Sequence, residues 1–164
     1  MKPKNSISCF LILFGGGISG VATATPSLCM PTEDVIFSCS TAISKTISLC
    51  VDKRSQLVTY RFGRVNKVEL TYSARQESAD GFLYNHYFRP SVDYTRILFS
   101  RSGYEYAIFR RYDATESQLP NYELVVSRGG ESEVQIKCQS HVIDNMSKII
   151  NYLKCDESSA LGCS

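Results

Sequence analysis

The sequence predicts a mainly all-β fold: a small antiparallel β-sandwich or barrel of about eight to nine strands with one C-terminal helix. Three observations predict it. Apolar residues alternate with period two along most of the chain. Turn signals recur at the short, regular spacing of sandwich and barrel sequences. Only beyond Ser140 does the apolar spacing change to three and four.

The elements follow in order. Val35, Phe37 and Cys39 share one strand face, and Ile47, Leu49 and Val51 share a face of the next. Val58, Tyr60 and Phe62 alternate with Thr59 and Arg61. Gly63-Arg64-Val65-Asn66 then reads as a turn, and Val68, Leu70 and Tyr72 alternate with Lys67, Glu69 and Thr71 to complete a hairpin. Ser73 to Gly81 is a polar loop ending in the turn dipeptide Asp80-Gly81. Phe82 to Arg89 is a strand stopped by Pro90, which cannot donate to a ladder. Tyr94 to Phe99 and Tyr104 to Tyr112 flank the turn Ser100-Arg101-Ser102-Gly103, and Asp113 to Pro120 is a polar loop. Tyr122, Leu124 and Val126 mark a further strand, Gly129-Gly130 a turn, and Val134, Ile136 and Cys138 the last strand. A helix is expected over 141–154, capped by Ser140, with Ile143, Met146, Ile149, Ile150 and Leu153 on one face.

The N-terminus carries Lys2 and Lys4, an uncharged, largely apolar run from Ile7 to Val21, and Ala22-Thr23-Ala24. These are the three parts of a secretory signal peptide, assigned to 1–24. Residues 25–164 are expected to form a single disulfide-stapled β domain. Leu28 before Cys29 does not fit a lipid-anchor site, so the mature chain reads as exported, soluble and without stable membrane insertion. Without Lys2 and Lys4 the 18 basic residues fall to 16, equal to the 16 acidic ones. No basic excess remains for nucleic acid.

Of the seven cysteines, Cys9 leaves with the signal peptide; Cys29, Cys39, Cys50, Cys138, Cys155 and Cys163 remain. An even number in an exported domain predicts disulfides. Cys39 and Cys138 fall on the apolar faces of their strands by parity with Phe37 and Ile136, which predicts that they pair. Cys50 lies opposite Leu49 and Val51 and looks for an outer partner among Cys29, Cys155 and Cys163. A Cys39–Cys50 bridge, close in sequence and accommodated by one bulge, competes with this scheme. The cysteine and histidine spacings match no metal site, and no cofactor is expected. Nucleophile elbows, phosphate loops and metalloprotease motifs are absent from the sequence, which reads as a non-enzyme.

The candidate site is the stretch from Phe99 to Tyr106. Arg101, Ser102 and Gly103 form a hairpin tip, and Tyr104 and Tyr106 continue the strand. Tyrosine and arginine are the residue types enriched in binding hot spots. Ser102-Gly103-Tyr104-Glu105-Tyr106 resembles the S-G-x-x-Y signature of bacterial periplasmic lysozyme inhibitors. The resemblance implies a small, exported, disulfide-linked antiparallel β protein whose serine loop enters an enzyme's cleft and meets its catalytic carboxylates. Ser102 would then donate a hydrogen bond and Tyr106 would support the loop. Two departures stand out. Ser127-Arg128-Gly129 occupies the place of a second T-K-G motif, and extra cysteines and a C-terminal helix are present. The implied function is a periplasmic inhibitor or immunity protein. Its protein partner would be a peptidoglycan-acting enzyme, either a lysozyme or a toxin delivered by a rival bacterium. The alternative is an envelope ligand- or glycan-binding module without an inhibitory role.

Overall fold

The structure, a computed structural model, describes residues 26–164; the expected signal peptide lies outside the described residues. The strands are β1 (Asp34–Thr41), β2 (Thr46–Asp52), β3 (Leu57–Arg64), β4 (Lys67–Arg75), β5 (Leu83–Arg89), β6 (Val92–Arg101), β7 (Tyr104–Asp113), β8 (Asn121–Arg128), β9 (Glu131–Asp144) and β10 (Lys154–Cys155). They form one sheet in the order β10-β5-β6-β7-β8-β9-β1-β2-β3-β4. Every pairing is antiparallel except β10 with β5. The fold is therefore all-β, but the two packed sheets of a sandwich are replaced by a single, strongly curled half-barrel.

The long strand β9 makes the curl. Its first half pairs with β8, and its second half leaves β8 and pairs with β1 through two register shifts. Such irregularities bend a strand and increase its twist. The two halves of the sheet then face each other. Tyr72 of β4 stacks on Phe99 of β6 at 4.4 Å, and Tyr60 of β3 lies 5.0 Å from the same ring. Phe37, Leu49, Ile108 and Leu124 fill the interior with them, each from the inward parity of its strand.

The expected C-terminal helix is not formed. His141–Asp144 continues β9, and Met146–Lys148 and Ile150–Tyr152 are short 3-10 turns. Both flanks of the segment are tied to strands. The Asn145 amide donates to the Ile36 carbonyl at 2.8 Å and its side chain to the Val35 carbonyl at 3.0 Å, while Lys154–Cys155 pairs with β5. β-Branched Val142 and Ile143 suit the strand. Met146 and Ile149, three residues apart, are both buried, which a 3-10 turn achieves as well as an α-helix. Ser140, the expected cap, lies within β9.

Cys39 pairs with Cys138, as strand parity predicts, and the competing Cys39–Cys50 bridge does not form. Cys50 joins Cys29 on the outer face, and Cys155 joins Cys163. Three disulfides fit an oxidising, extracytoplasmic compartment. No helix among the described residues is long and apolar enough to cross a membrane.

Simple alternation fails on the outer face of β1, β2 and β3. Ser38, Ser48 and Thr59 are buried there, as is Arg61. The segment 26–33 lies over this face. The Leu28 amide donates to the Ser48 hydroxyl at 3.0 Å, the Ser38 hydroxyl donates to the Pro26 carbonyl at 3.0 Å, and Glu33 reaches Arg61.

Candidate functional site

The β6–β7 connection is a two-residue hairpin. Arg101 is the register partner of Tyr104, which leaves Ser102 and Gly103 as the central residues. Their φ values are 53° and 78°, so both are left-handed. That is the requirement of a type I′ turn, whose twist matches the flanking strands. Serine in this position, where asparagine or glycine is preferred, carries backbone strain.

Arg101, Ser102 and Gly103 are exposed, and a Cβ at Gly103 would meet no atom within 4 Å. The tip thus projects from the sheet. Arg101 is not free to swing, because its Nη1 donates to the Thr71 carbonyl of β4 at 2.9 Å. Tyr104 is half-buried, with the Arg128 guanidinium 5.3 Å from its ring centroid. Tyr106, two residues further along the same face of β7, stacks on Phe99 at 5.0 Å. The structure therefore brings Arg101, Ser102, Gly103 and Tyr104 together at the tip, while Tyr106 is a packing residue at its base. Ser127-Arg128-Gly129 reaches the neighbouring β8–β9 turn, and only Arg128 approaches the tip residues.

A second constellation was not evident in the sequence. His86 of β5, Asp93 of β6, Arg110 of β7, Tyr122 of β8 and Asp144 of β9 converge on the concave face. His86 Nε2 lies 3.1 Å from Asp93 Oδ1, and Arg110 Nη1 is 2.6 Å from Asp93 Oδ2. Arg110 Nε and the Tyr122 hydroxyl both donate to Asp144 Oδ2 at 2.9 Å. The His86 Nδ1 contacts the Ser164 carbonyl oxygen. The five side chains come from five different strands, so only the cross-strand register brings them together. The residues are separated by up to 58 positions, and no linear motif records them.

The electrostatics of this cluster are self-contained. Burial opposes the charge on Arg110, but the Asp93 hydrogen bond and the charges of Asp93 and Asp144 outweigh it and hold the guanidinium above its usual range. Burial, and after it the Asp144 hydrogen bond and charge, push the Tyr122 phenol up to about 12. Both His86 nitrogens thus face oxygen atoms, Nε2 the Asp93 carboxylate and Nδ1 Ser164.

A broader depression of about 740 Å3 lies where β9 parts from β8, bordered by the 113–120 loop. Arg111 and Glu123 pair on its wall. Glu33 sits beside Cys29 and Cys50, but these sulfurs are joined to each other and offer no thiolate to a metal. No protein-family model matches the chain, and comparison with curated proteins and with solved structures gives no significant match.

Proposed function

We propose that the chain is an exported inhibitor or immunity protein that blocks a peptidoglycan-acting enzyme, a lysozyme or a rival's toxin, by inserting the β6–β7 hairpin into its cleft. The observation that carries this reading is Ser102, exposed and left-handed at the tip of a two-residue turn. A hydroxyl and adjacent backbone amides at a projecting tip are suited to a carboxylate at the bottom of a cleft. The Arg101–Thr71 tether and the Tyr106–Phe99 stack restrain the hairpin before binding, so little entropy is lost on association. The target enzyme would be periplasmic or delivered to the periplasm, the compartment the disulfides suit.

Inhibition of peptidoglycan hydrolases by the purified oxidised protein tests the reading. Donors to a charged acceptor contribute about 1.5 to 3 kcal/mol. Ser102→Ala should therefore weaken inhibition about tenfold to a hundredfold while leaving Tm unchanged. A folded Arg101→Ala, Ser102→Ala double variant that inhibits as well as the parent would refute insertion of this hairpin.

A further inference from the structure

Beneath the His86–Asp93–Arg110–Asp144 cluster lies a cavity of about 250 Å3, and no hairpin residue lines it. We propose that this cavity binds one neutral sugar ring, held through vicinal hydroxyls. The site is independent of the hairpin and needs no inhibitory role.

Four features lead to this ligand class. The first is charge. Two carboxylates, Asp93 and Asp144, face one guanidinium and one imidazole, so the lining is at most neutral and does not attract an anion. The second is preorganisation. Arg110 is held on both sides by Asp93 and Asp144, and Asp93 is held by His86. These contacts use Arg110 Nε and Nη1. Among the described residues none hydrogen-bonds Arg110 Nη2 or the Thr95 hydroxyl, and Arg110 and Thr95 line the cavity together with Asp93 and Asp144. Donors beside acceptors suit a pair of adjacent hydroxyls, each of which gives and takes a hydrogen bond. A cationic amine would satisfy the carboxylates only and would confront the guanidinium.

The third feature is the apolar part of the lining. Ile97 of β6, Met146 of the first 3-10 turn and Ile149 between the two turns line the cavity, as does Ile150, which is exposed. Such a surface takes the C–H face of a pyranose. The fourth is size. The volume falls below the range of about 300 to 1,000 Å3 that holds drug-sized ligands, so a single ring fits and an oligosaccharide would have to project outward.

Titration of the intact, oxidised protein by NMR tests the proposal, with N-acetylglucosamine, glucose and the N-acetylglucosamine–N-acetylmuramic acid disaccharide, its lactyl carboxylate masked as the methyl ester, as neutral probes. Inorganic phosphate and a simple alkylamine serve as controls. A single ring should bind saturably with a Kd on the order of 1 mM. Thr95→Val removes one hydroxyl at constant shape and should weaken binding roughly threefold to tenfold. Ile150→Trp should close the mouth and abolish it. Both variants should keep the parent Tm, and Ser102→Ala should bind sugar like the parent. A disaccharide that binds at least about tenfold tighter than the single ring points to wall glycan as the source; equal affinities point to free sugar. Absence of saturable sugar binding, preference for phosphate or the amine, or unchanged affinity in both pocket variants would overturn the proposal. Loss of enzyme inhibition in Ser102→Ala with sugar binding intact separates this site from the hairpin.

Discussion

Arg61 and Glu33 form a bidentate ion pair on the outer face of the sheet, with Nη1 to Oε2 at 2.6 Å and Nη2 to Oε1 at 2.9 Å. The same Nη1 lies 3.3 Å from Cys50 Sγ. One contact thus ties the segment 26–33 across β2 and β3 and covers the Cys29–Cys50 bridge. Burial alone would raise the Glu33 pKa. The Arg61 hydrogen bond, the Met30 amide and the Arg61 charge outweigh it, and the pKa is lowered from 4.5.

The sign of the resulting pH dependence follows. A lowered folded-state pKa contributes stability that is present above pH 4.5 and is lost as the pH falls through the folded value. Glu33→Gln should flatten this acid limb. It also leaves the Arg61 guanidinium buried without a counter-charge, a loss of about 3 kcal/mol at neutral pH. Urea unfolding at neutral and acidic pH measures both effects; a variant with parent-like stability at pH 7 would contradict the pairing.

The disulfides should contribute unequally. Cys39 and Cys138 are separated by 99 residues and Cys155 and Cys163 by 8. In the chain-entropy model the long loop contributes about 4 to 5 kcal/mol and the short one about 2 to 3. The Cys39→Ala, Cys138→Ala variant should therefore lower Tm more than Cys155→Ala, Cys163→Ala. The second variant should also free the Ser164 end from His86, read as a change in the His86 ring resonances with the core spectrum intact.

Tyr122 sets an alkaline limit. Its phenol is at about 12 in the fold against 10.0 unfolded. A raised folded pKa means stability that is complete below pH 10 and declines as the pH climbs toward 12, because the unfolded chain ionises first. Tyr122→Phe removes this contribution to the decline. Thermal unfolding at pH 8 and pH 11 should show a smaller drop for the variant than for the parent.

Much of the half-barrel was legible because its inner face obeys a period of two. Val58, Tyr60 and Phe62 against Val68, Leu70 and Tyr72 gave the β3–β4 hairpin, and the parity of Cys39 and Cys138 gave their bridge. The outer face of β1 to β3 was not legible. Ser38, Ser48 and Arg61 have the polarity of solvent-facing residues, and only the strap from Pro26 to Glu33 buries them. The stripe from Ile143 to Leu153 misled for a related reason. A spacing of three and four serves a helix, but two flanking strand anchors leave room only for 3-10 turns. At the hairpin, Ser102-Gly103 was legible as a turn because it is local. The cluster of His86, Asp93, Arg110, Tyr122 and Asp144 was not, because it exists only across five registered strands.

Two left-handed glycines give a final contrast. Gly63 has φ 146° at the register shift between β3 and β4, and a Cβ there would lie 2.5 Å from the Lys67 carbonyl oxygen and 2.7 Å from the Glu69 nitrogen. Both neighbours are backbone atoms of a paired strand and cannot move without breaking the ladder. Gly103 has φ 78° and open space around it. Gly63→Ala therefore adds a backbone clash to conformational strain and should cost about 3 kcal/mol or more, whereas Gly103→Ala meets only the left-handed penalty of about 1 kcal/mol. Equilibrium unfolding of the two variants should separate them by about 2 kcal/mol. The comparison also bears on the hairpin's role. Gly103→Ala stays folded yet disturbs the turn that presents Ser102, so a fall in enzyme inhibition beyond its small stability loss is the result expected of an inserting loop. A Gly103→Ala protein that is as destabilised as Gly63→Ala would show instead that the tip is packed, contrary to the open space around it.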